Sequence, residues 1–309
     1  MIKIARTKCP DHLDPNNPKS PGQKELARIT KRIEKGEVVK STHFSAYGDR
    51  SVREALRDMF NGKCAYCERQ AAGGQDGDVE HYRPKKGVTE ADDAGIEHPG
   101  YWWLAAHWEN LVLSCMHCNQ FRSKQNIIPD DVVTLAELEA FLKDPPDTGT
   151  GKLNSFPTQD GVWVTDPAGD IASEKPLIID PSADVDPEDH LEWVIFDGAS
   201  TVRAKGGSAA GEASRKILGL NRRWLEEERR AKIALMRIQR NTIIDAMQNW
   251  LNADNPDVKA VWGQVADRAI HDLWAFTDEA QPFIGLARAF IKTVQDEVEL
   301  IRPSDTGAV

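Results

Sequence analysis

Two Cys-x-x-Cys turns, Cys64-Ala-Tyr-Cys67 and Cys115-Met-His-Cys118, constrain this chain more than any other feature. Zinc prefers four tetrahedral thiolate or imidazole ligands, and each such turn presents two thiolates to one ion. The pairs stand 47 residues apart, so a shared ion would close a long loop and bracket whatever lies within it. One further cysteine, Cys9, occurs in 309 residues, which is too few for a disulfide scaffold. No thioredoxin-like βαβ pattern surrounds either pair, which argues against a redox role. With sulfur at all four positions, the expected site is closed and structural: Zn2+ held by Cys64, Cys67, Cys115 and Cys118.

Three short elements lie between and beside these turns: Val79-Glu80-His81-Tyr82-Arg83-Pro84-Lys85, Trp108-Glu109-Asn110-Leu111 and Cys118-Asn119-Gln120. Phosphodiester hydrolysis needs an activated water, a cation against the phosphate charge and help for the leaving oxygen. A histidine can take the water's proton near neutral pH. A carboxylate and an amide oxygen are hard ligands suited to Mg2+ or Mn2+. Glu80, His81 and Asn119 supply that set, and a zinc knuckle would fix Asn119 because it directly follows Cys118. His107, among aromatic residues, reads as a packed structural histidine. Tyr101, Trp102, Trp103 and Trp108 read as core beside the knuckle rather than as a base-stacking platform.

Around this centre the chain divides by composition. Residues 1–60 read as a basic N-terminal arm with helices, one over 23–35 stopped by Gly36 and one from Ser51 to Phe60 capped by Asp49. Residues 61–143 hold the chemistry, with a strand expected at Asp78–Tyr82 in a mostly looped stretch from Gly73 to Gly100. Residues 144–176 are rich in Pro, Gly, Thr and Asp and read as an irregular linker or hairpin. From 177 to 309 a short buried strand is expected at Pro176–Ile179, then three helices forming a small bundle. The first is marked by Trp224, Ala231, Leu235, Ile238, Met247 and Trp250, taken mostly as one apolar face. The others are marked by Val258–Leu273 and Phe283–Val298. The fold class is thus α+β, mainly helical.

The net charge of −10 argues against a polyanionic partner, but its distribution does not. Residues 1–63 carry 14 Lys+Arg against 8 Asp+Glu, a balance of +6, so the remainder carries −10 − 6 = −16. Either the basic N-terminal region or a partner protein must supply attraction for phosphate. No apolar run approaches the roughly 18–20 residues that span a bilayer, and residues 1–6 lack a signal-like apolar segment. The expected compartment is the cytoplasm.

Lys63-Cys-Ala-Tyr-Cys-Glu68, Val79-Glu-His-Tyr-Arg-Pro-Lys85, Tyr101-Trp-Trp-Leu-Ala-Ala-His-Trp-Glu-Asn-Leu111 and Ser114-Cys-Met-His-Cys-Asn119 together resemble an HNH endonuclease. More narrowly they resemble the PtuB-like HNH subunits of Septu-type and retron-associated anti-phage systems, which pair with an ATPase subunit of the ABC/SMC type. Leu177-Ile-Ile-Asp-Pro181, His190-Leu191 and Leu218-Gly-Leu-Asn-Arg222 extend the likeness to about residues 50–230. The resemblance implies a zinc-knuckle-braced ββα-metal core acting on nucleic acid. In it His81 is the general base, Glu80 and Asn119 hold the catalytic Mg2+ or Mn2+, and Asn110 braces the loop that orients His81. Arg122 or Lys124 stands where a phosphate-contacting cation is expected, and the C-terminal helices would dock the ATPase. The same residues are open to two other readings: a catalytically silent zinc module that recruits nucleic acid or a partner, and a stand-alone restriction nuclease.

Overall fold

The computed structural model describes residues 1–71 and 77–301, which leaves Gly73 to Asp76 of the expected loop outside the described residues. The chain forms two compact units. The first comprises Met1–Ile127, Pro145–Glu192 and Val202–Arg222, and the second Ile128–Asp144, Trp193–Thr201 and the chain from Arg223 onward. Among the described residues no helix is long and apolar enough to cross a membrane.

The first unit opens with α1 (Pro21–Glu34), whose first N–H groups are capped by the Ser20 hydroxyl accepting from Gln23. Pro21 occupies the first turn, where a missing N–H costs nothing. In α2 (Arg50–Met59) Asp49 is the N-cap as expected, accepting from the Ser51 N–H, and Val52, Leu56 and Met59 are buried along one side. The strand expected near Asp78 is β1 (Gly77–His81), paired antiparallel with β2 (Leu111–Cys115) in the register Val79↔Leu113 and His81↔Leu111. A short helix, α3 (Thr89–Asp93), lies in the loop between them, and its Glu90 accepts from the Phe156 N–H at 2.7 Å. Every residue of β2 is buried. The strand runs directly into a single helical turn, α4 (Met116–Asn119), so the second cysteine pair sits where strand becomes helix. The first pair is tied to the same strand by the Ala65 N–H donating to the Leu113 carbonyl at 2.8 Å.

After α4, β3 (Arg122–Gln125) pairs with β4 (Thr148–Thr150) across an irregular register. Helix α5 (Leu135–Lys143) falls in the second unit. Strands β5 (Leu191–Phe196) and β6 (Ala199–Ala204) form a hairpin, and α6 (Ala209–Ile217) follows. The linker expected over 144–176 is irregular in path but packed in position. Phe156 is fully buried, and Glu174 accepts from the Arg83 guanidinium at 2.8 Å, the Tyr101 hydroxyl at 2.5 Å and the Val164 N–H at 2.8 Å. The buried strand expected at Pro176–Ile179 does not form. Pro176 makes one isolated bridge to Thr158, while Ile178 and Ile179 are buried as irregular chain.

The second unit contains the three expected helices, α7 (Arg223–Asn252), α8 (Pro256–Trp274) and α9 (Ile284–Ile301). Its α7 face differs from the sequence reading. Leu225, Ile233, Met236, Ile243 and Ala246 are its buried apolar residues, whereas Ala231, Leu235, Ile238 and Trp250 are exposed. Helix α7 carries apolar residues on two sides, and periodicity alone does not say which side α8 and α9 cover. On α9 the expected face holds, with Leu286, Phe290, Ile291 and Val294 buried. A separate apolar cluster joins α5 to the hairpin tip through Ile128, Leu138, Phe196 and Ala199.

Candidate functional site

The four thiols of the two turns converge. Cys64, Cys67, Cys115 and Cys118 are all buried, and their sulfur atoms lie within 4.8 Å of one another, with Cys67 and Cys115 Sγ 3.7 Å apart. Tetrahedral sulfurs at the usual Zn–S length of about 2.3 Å stand about 3.8 Å from each other. The spacing and donor chemistry therefore fit a structural zinc ion. Burial penalises each thiolate, yet Cys67 is held well below the ordinary thiol range by hydrogen bonds within the cluster and by the Arg222 charge.

Arg222 is the partner that sequence reading did not assign. Its Nη2 donates to Cys115 Sγ at 3.8 Å and Cys118 Sγ at 3.5 Å, and its Nη1 donates to the Leu218 and Gly219 carbonyls at 2.7 and 3.0 Å. A four-thiolate zinc site carries net negative charge, and a fully buried guanidinium beside two of its sulfurs offsets it. The Leu218–Arg222 motif was visible in the sequence, but nothing in its spacing connected it to cysteines about a hundred residues away.

A second buried cation connects the cluster to the strand. The Lys152 backbone N–H donates to the Cys118 carbonyl at 2.8 Å, and Leu153 N–H donates to the Asn119 carbonyl at 2.8 Å. The chain can lie this close because Gly151 has φ +134°, and a Cβ there would stand 2.1 Å from the Gln120 carbonyl oxygen. The Lys152 ammonium, wholly buried, then donates to Glu80 Oε1 and to the His81 carbonyl, both at 2.9 Å. Burial raises the Glu80 pKa, and Lys152 only partly opposes it. On the same side of β1, two residues earlier, Asp78 Oδ2 accepts from the Asn119 amide at 3.2 Å and the Gln120 amide at 3.3 Å. Asp78, Glu80 and Asn119 are hard oxygen donors suited to a divalent ion. Glu80 already faces one protein cation, and Asp78, missed in the sequence, is the carboxylate in contact with Asn119.

His81 engages different partners. Its Nε2 lies 3.0 Å from the Ala105 carbonyl, which can only accept, so the proton sits on Nε2 and the lone pair on Nδ1. Lys85 Nζ stands 3.3 Å from that Nδ1. The Tyr47 ring packs edge-on against the imidazole at 4.5 Å, and the Lys85 ammonium lies 4.4 Å above Tyr47. Burial first, then the Lys85 charge, lowers the His81 pKa well below the ordinary value. Lys85 and Lys152 each act on both Glu80 and His81, so the four form one electrostatic group.

Asn110 is buried and clamps this arrangement. Its Oδ1 accepts from the Arg83 N–H at 2.7 Å, and its Nδ2 donates to the Arg83 and Leu104 carbonyls at 3.0 and 3.2 Å. The clamp joins the segment after His81 to the residue before Ala105. Arg122 turns its Nη2 to Met116 Sδ and Gln120, and Lys124 is exposed on β3. Among the described residues neither makes a hydrogen bond or ion pair with Glu80, His81 or Asn119. His107 corrects an expectation of burial: its side chain is exposed, with Nδ1 2.9 Å from Glu109. The flanking aromatics are the buried part, with Tyr101, Trp102 and Trp108 all in the core.

The chain is 35% identical over 236 residues to Septu protein PtuB of Bacillus mycoides (strain KBAB4), covering 76% of this chain and 67% of that relative. The chain belongs to the Septu PtuB family. It is also 25% identical over 179 residues to Septu protein PtuA of the same strain, a match covering 58% of this chain and 20% of PtuA. No protein-family model matches the chain, and no solved structure matches it. Membership of the PtuB family agrees with the resemblance read from the cysteine turns and the Glu80-His81 strand.

Proposed function

We propose that the chain is a metal-dependent HNH endonuclease that hydrolyses nucleic-acid phosphodiesters, acting as the nuclease subunit of an ATPase-coupled anti-phage defence complex. The observation that carries this reading is the set histidine at the end of β1: Nε2–H pinned to Ala105, which leaves the basic lone pair on Nδ1, where it accepts from the Lys85 ammonium at 3.3 Å. It is supported by the antiparallel β1–β2 pair followed directly by the α4 turn, with β2 leading into a cysteine cluster that fits zinc.

In this reading His81 Nδ1 takes the proton of the attacking water, and Ala105 and Asn110 keep the ring in the orientation that leaves Nδ1 available. Lys85 turns from Nδ1 to a phosphate oxygen when substrate enters, which removes the positive charge from the base and places it on the phosphate. Glu80 and Asn119 would hold the Mg2+ or Mn2+, whose bound charge stabilises the phosphate and leaving oxygen. Arg122 and Lys124 serve the backbone outside the centre. The exposed apolar side of the second unit, with Leu235, Ile238 and Val261 each more than half exposed, supports a partner-docking role for α7 and α8. Its occupant in this reading is the ABC/SMC-type ATPase.

One observation favours the rival, a silent recruitment module: His81 is only 4% exposed. Incubation of the full chain, with and without its native partner, with DNA and RNA in Mg2+ or Mn2+ separates the two. Cleavage is expected, and His81→Ala should lower it by about 10²–10⁴-fold, the usual cost of a general base. Undiminished cutting by a folded His81→Ala protein rejects the mechanism, and no cutting under any condition supports the silent module.

A further inference from the structure

The net charge of −10 conceals a local surface of opposite sign on α1. Lys24, Arg28 and Lys31 on the helix and Lys35, its C-cap, are all exposed. Their spacing of four, three and four residues places them within an arc of about 60° on an α-helix, along roughly 16 Å of its axis. Four cations in the row stand against two acidic residues on the helix, and one of these is turned inward. Glu25 is buried and accepts from the Ser45 N–H at 2.7 Å, the Ser45 hydroxyl at 2.9 Å and the Ala46 N–H at 3.0 Å. Glu34, three residues from Lys31 and about 60° from it around the helix, is exposed beside the row, and Glu37 just past the helix pairs with Arg32 at 2.7 Å. Arg28 is committed in part to the His43 carbonyl at 2.8 Å and lies 3.6 Å from Glu25. Lys24, Lys31 and Lys35 form the open part of the row.

The reverse side of the same helix is joined to His81. Ile29 packs in a cluster with Phe44, Trp102 and Ala105, and it is the Ala105 carbonyl that receives the His81 Nε2–H. Glu25 fixes Ser45 and Ala46, and the next residue, Tyr47, packs on the imidazole. Lys86, adjoining Lys85, donates to Ser41 Oγ at 2.7 Å and so adds a third tie between this N-terminal region and the motif. Movement of α1 would therefore disturb both the tautomer-setting carbonyl and the ring that covers His81.

From these contacts we infer that the exposed face of α1 is a nucleic-acid backbone surface, built on the same packing unit that orients His81. The row spans about five phosphates of one strand at about 3.4 Å of axial rise per phosphate. An anionic bilayer is the poorer match, because a helix lying in an interface must insert an apolar face. The buried side of α1 is already used by Ile29 in the protein's own core. This inference rests on the nucleic-acid reading above but concerns binding, not cutting.

The test is fluorescence anisotropy of the full chain with a short labelled DNA duplex and its RNA counterpart, across a salt titration. Each phosphate contact contributes about 0.9 to the slope of log affinity against log salt. The Lys24→Gln/Lys31→Gln/Lys35→Gln variant should lose a slope of roughly three and bind all sequences more weakly, whereas the matching triple Arg variant should retain it. Lys and Gln have similar helix propensities, so the variant should fold. Loss of binding to one polymer alone identifies which of DNA and RNA the surface takes. An unchanged slope in the Gln variant overturns the inference, as does wild-type binding to phosphatidylserine vesicles but to neither nucleic acid. If nothing is cleaved yet the slope falls as expected, the catalytic reading fails and this surface stands.

Discussion

The two units are specified by different physics. The second is held mainly by helices whose apolar residues recur locally, Ile233, Met236 and Ile243 on α7, Leu273 on α8, and Phe290 and Ile291 on α9, although α7 also buries Glu226, Arg229 and Lys232. The first also has helices, α1, α2 and α6, but around the cysteines and His81 it is built of short strands, one-turn helices and irregular chain. Its fixed points are buried polar groups far apart in sequence: the four cysteines with Arg222, Glu80 with Lys152, and Arg83 with Glu174. Helical periodicity tolerates many sequences that keep the pattern. A buried charge tolerates only its partner, because removing one member leaves the other desolvated and uncompensated. Chemistry that needs groups placed to fractions of an ångström belongs with the second kind of specification.

The largest effect that would break this contrast is loss of the cysteine cluster. Metal analysis should find about one zinc per chain, and Cys64→Ser or Cys118→Ser should lose it. Structural zinc contributes about 10–16 kcal/mol in small zinc domains, comparable to or greater than the whole stability of a typical domain, about 5–15 kcal/mol. Amide exchange should then show the first unit unprotected while α7–α9 keep their protection. Equal loss of protection in both units would show that they are not separately specified. Zinc-free protein of unchanged stability would remove the metal from the account altogether.

Next in size is Lys152→Met, which leaves the Glu80 carboxylate buried without its cation. The expected cost is about 3–5 kcal/mol in urea denaturation. Adding Glu80→Gln should recover part of it, since contacting residues are non-additive. A single-variant cost near zero would mean that Glu80 finds water or another partner, and the strand is not held from the knuckle.

In the second unit, Ile243→Val removes one buried methylene group from α7, where Ile243 is 1% exposed. About 0.5–1.5 kcal/mol should be lost. The same exchange at exposed Ile238 should be close to neutral. Reversal of that order would mean that the apolar face is assigned to the wrong side of the helix.

The smallest effect is a pH dependence at His98. Its Nε2–H donates to the Val164 carbonyl at 3.0 Å and its Nδ1 accepts from the Gly100 N–H at 3.0 Å, an arrangement that needs the neutral ring. Burial lowers its pKa below the ordinary value. Over the interval between the folded value and the unfolded value of about 6.5, the unfolded chain binds more protons. Stability should therefore fall as pH drops below about 6.5, and stop falling from this cause below the folded pKa. His98→Asn should flatten that limb, and an unaltered limb would assign it to other groups.

How far each feature was legible follows from the range of the interaction behind it. The zinc turns, the Glu80-His81 strand and the three C-terminal helices are encoded within a few residues, and each is found at its expected place. The family resemblance rests on those same short motifs, and the PtuB match agrees with it. The irregular segment 144–176 was read from composition alone, so the burial of Lys152 and Phe156 within it was hidden. Neither residue has a local pattern that distinguishes it from a solvated loop.

By itself the amino-acid order determined which residues carry metal-ligating or proton-accepting side chains and where α1, α2 and the three C-terminal helices lie, but not α3, α5 or α6, because caps, turns and cysteine spacing act over one or two turns of chain. Only the tertiary structure decided which of these groups meet. It placed Arg222 against the thiols, Lys152 between Cys118 and Glu80, and Asp78 rather than Glu80 against the Asn119 amide. It also chose which side of α7 is covered. The reason is the cost of burying charge and leaving polar groups unpaired. That cost is settled by whichever partner the folded chain brings within about 3 Å, and sequence separation places no limit on which partner that is.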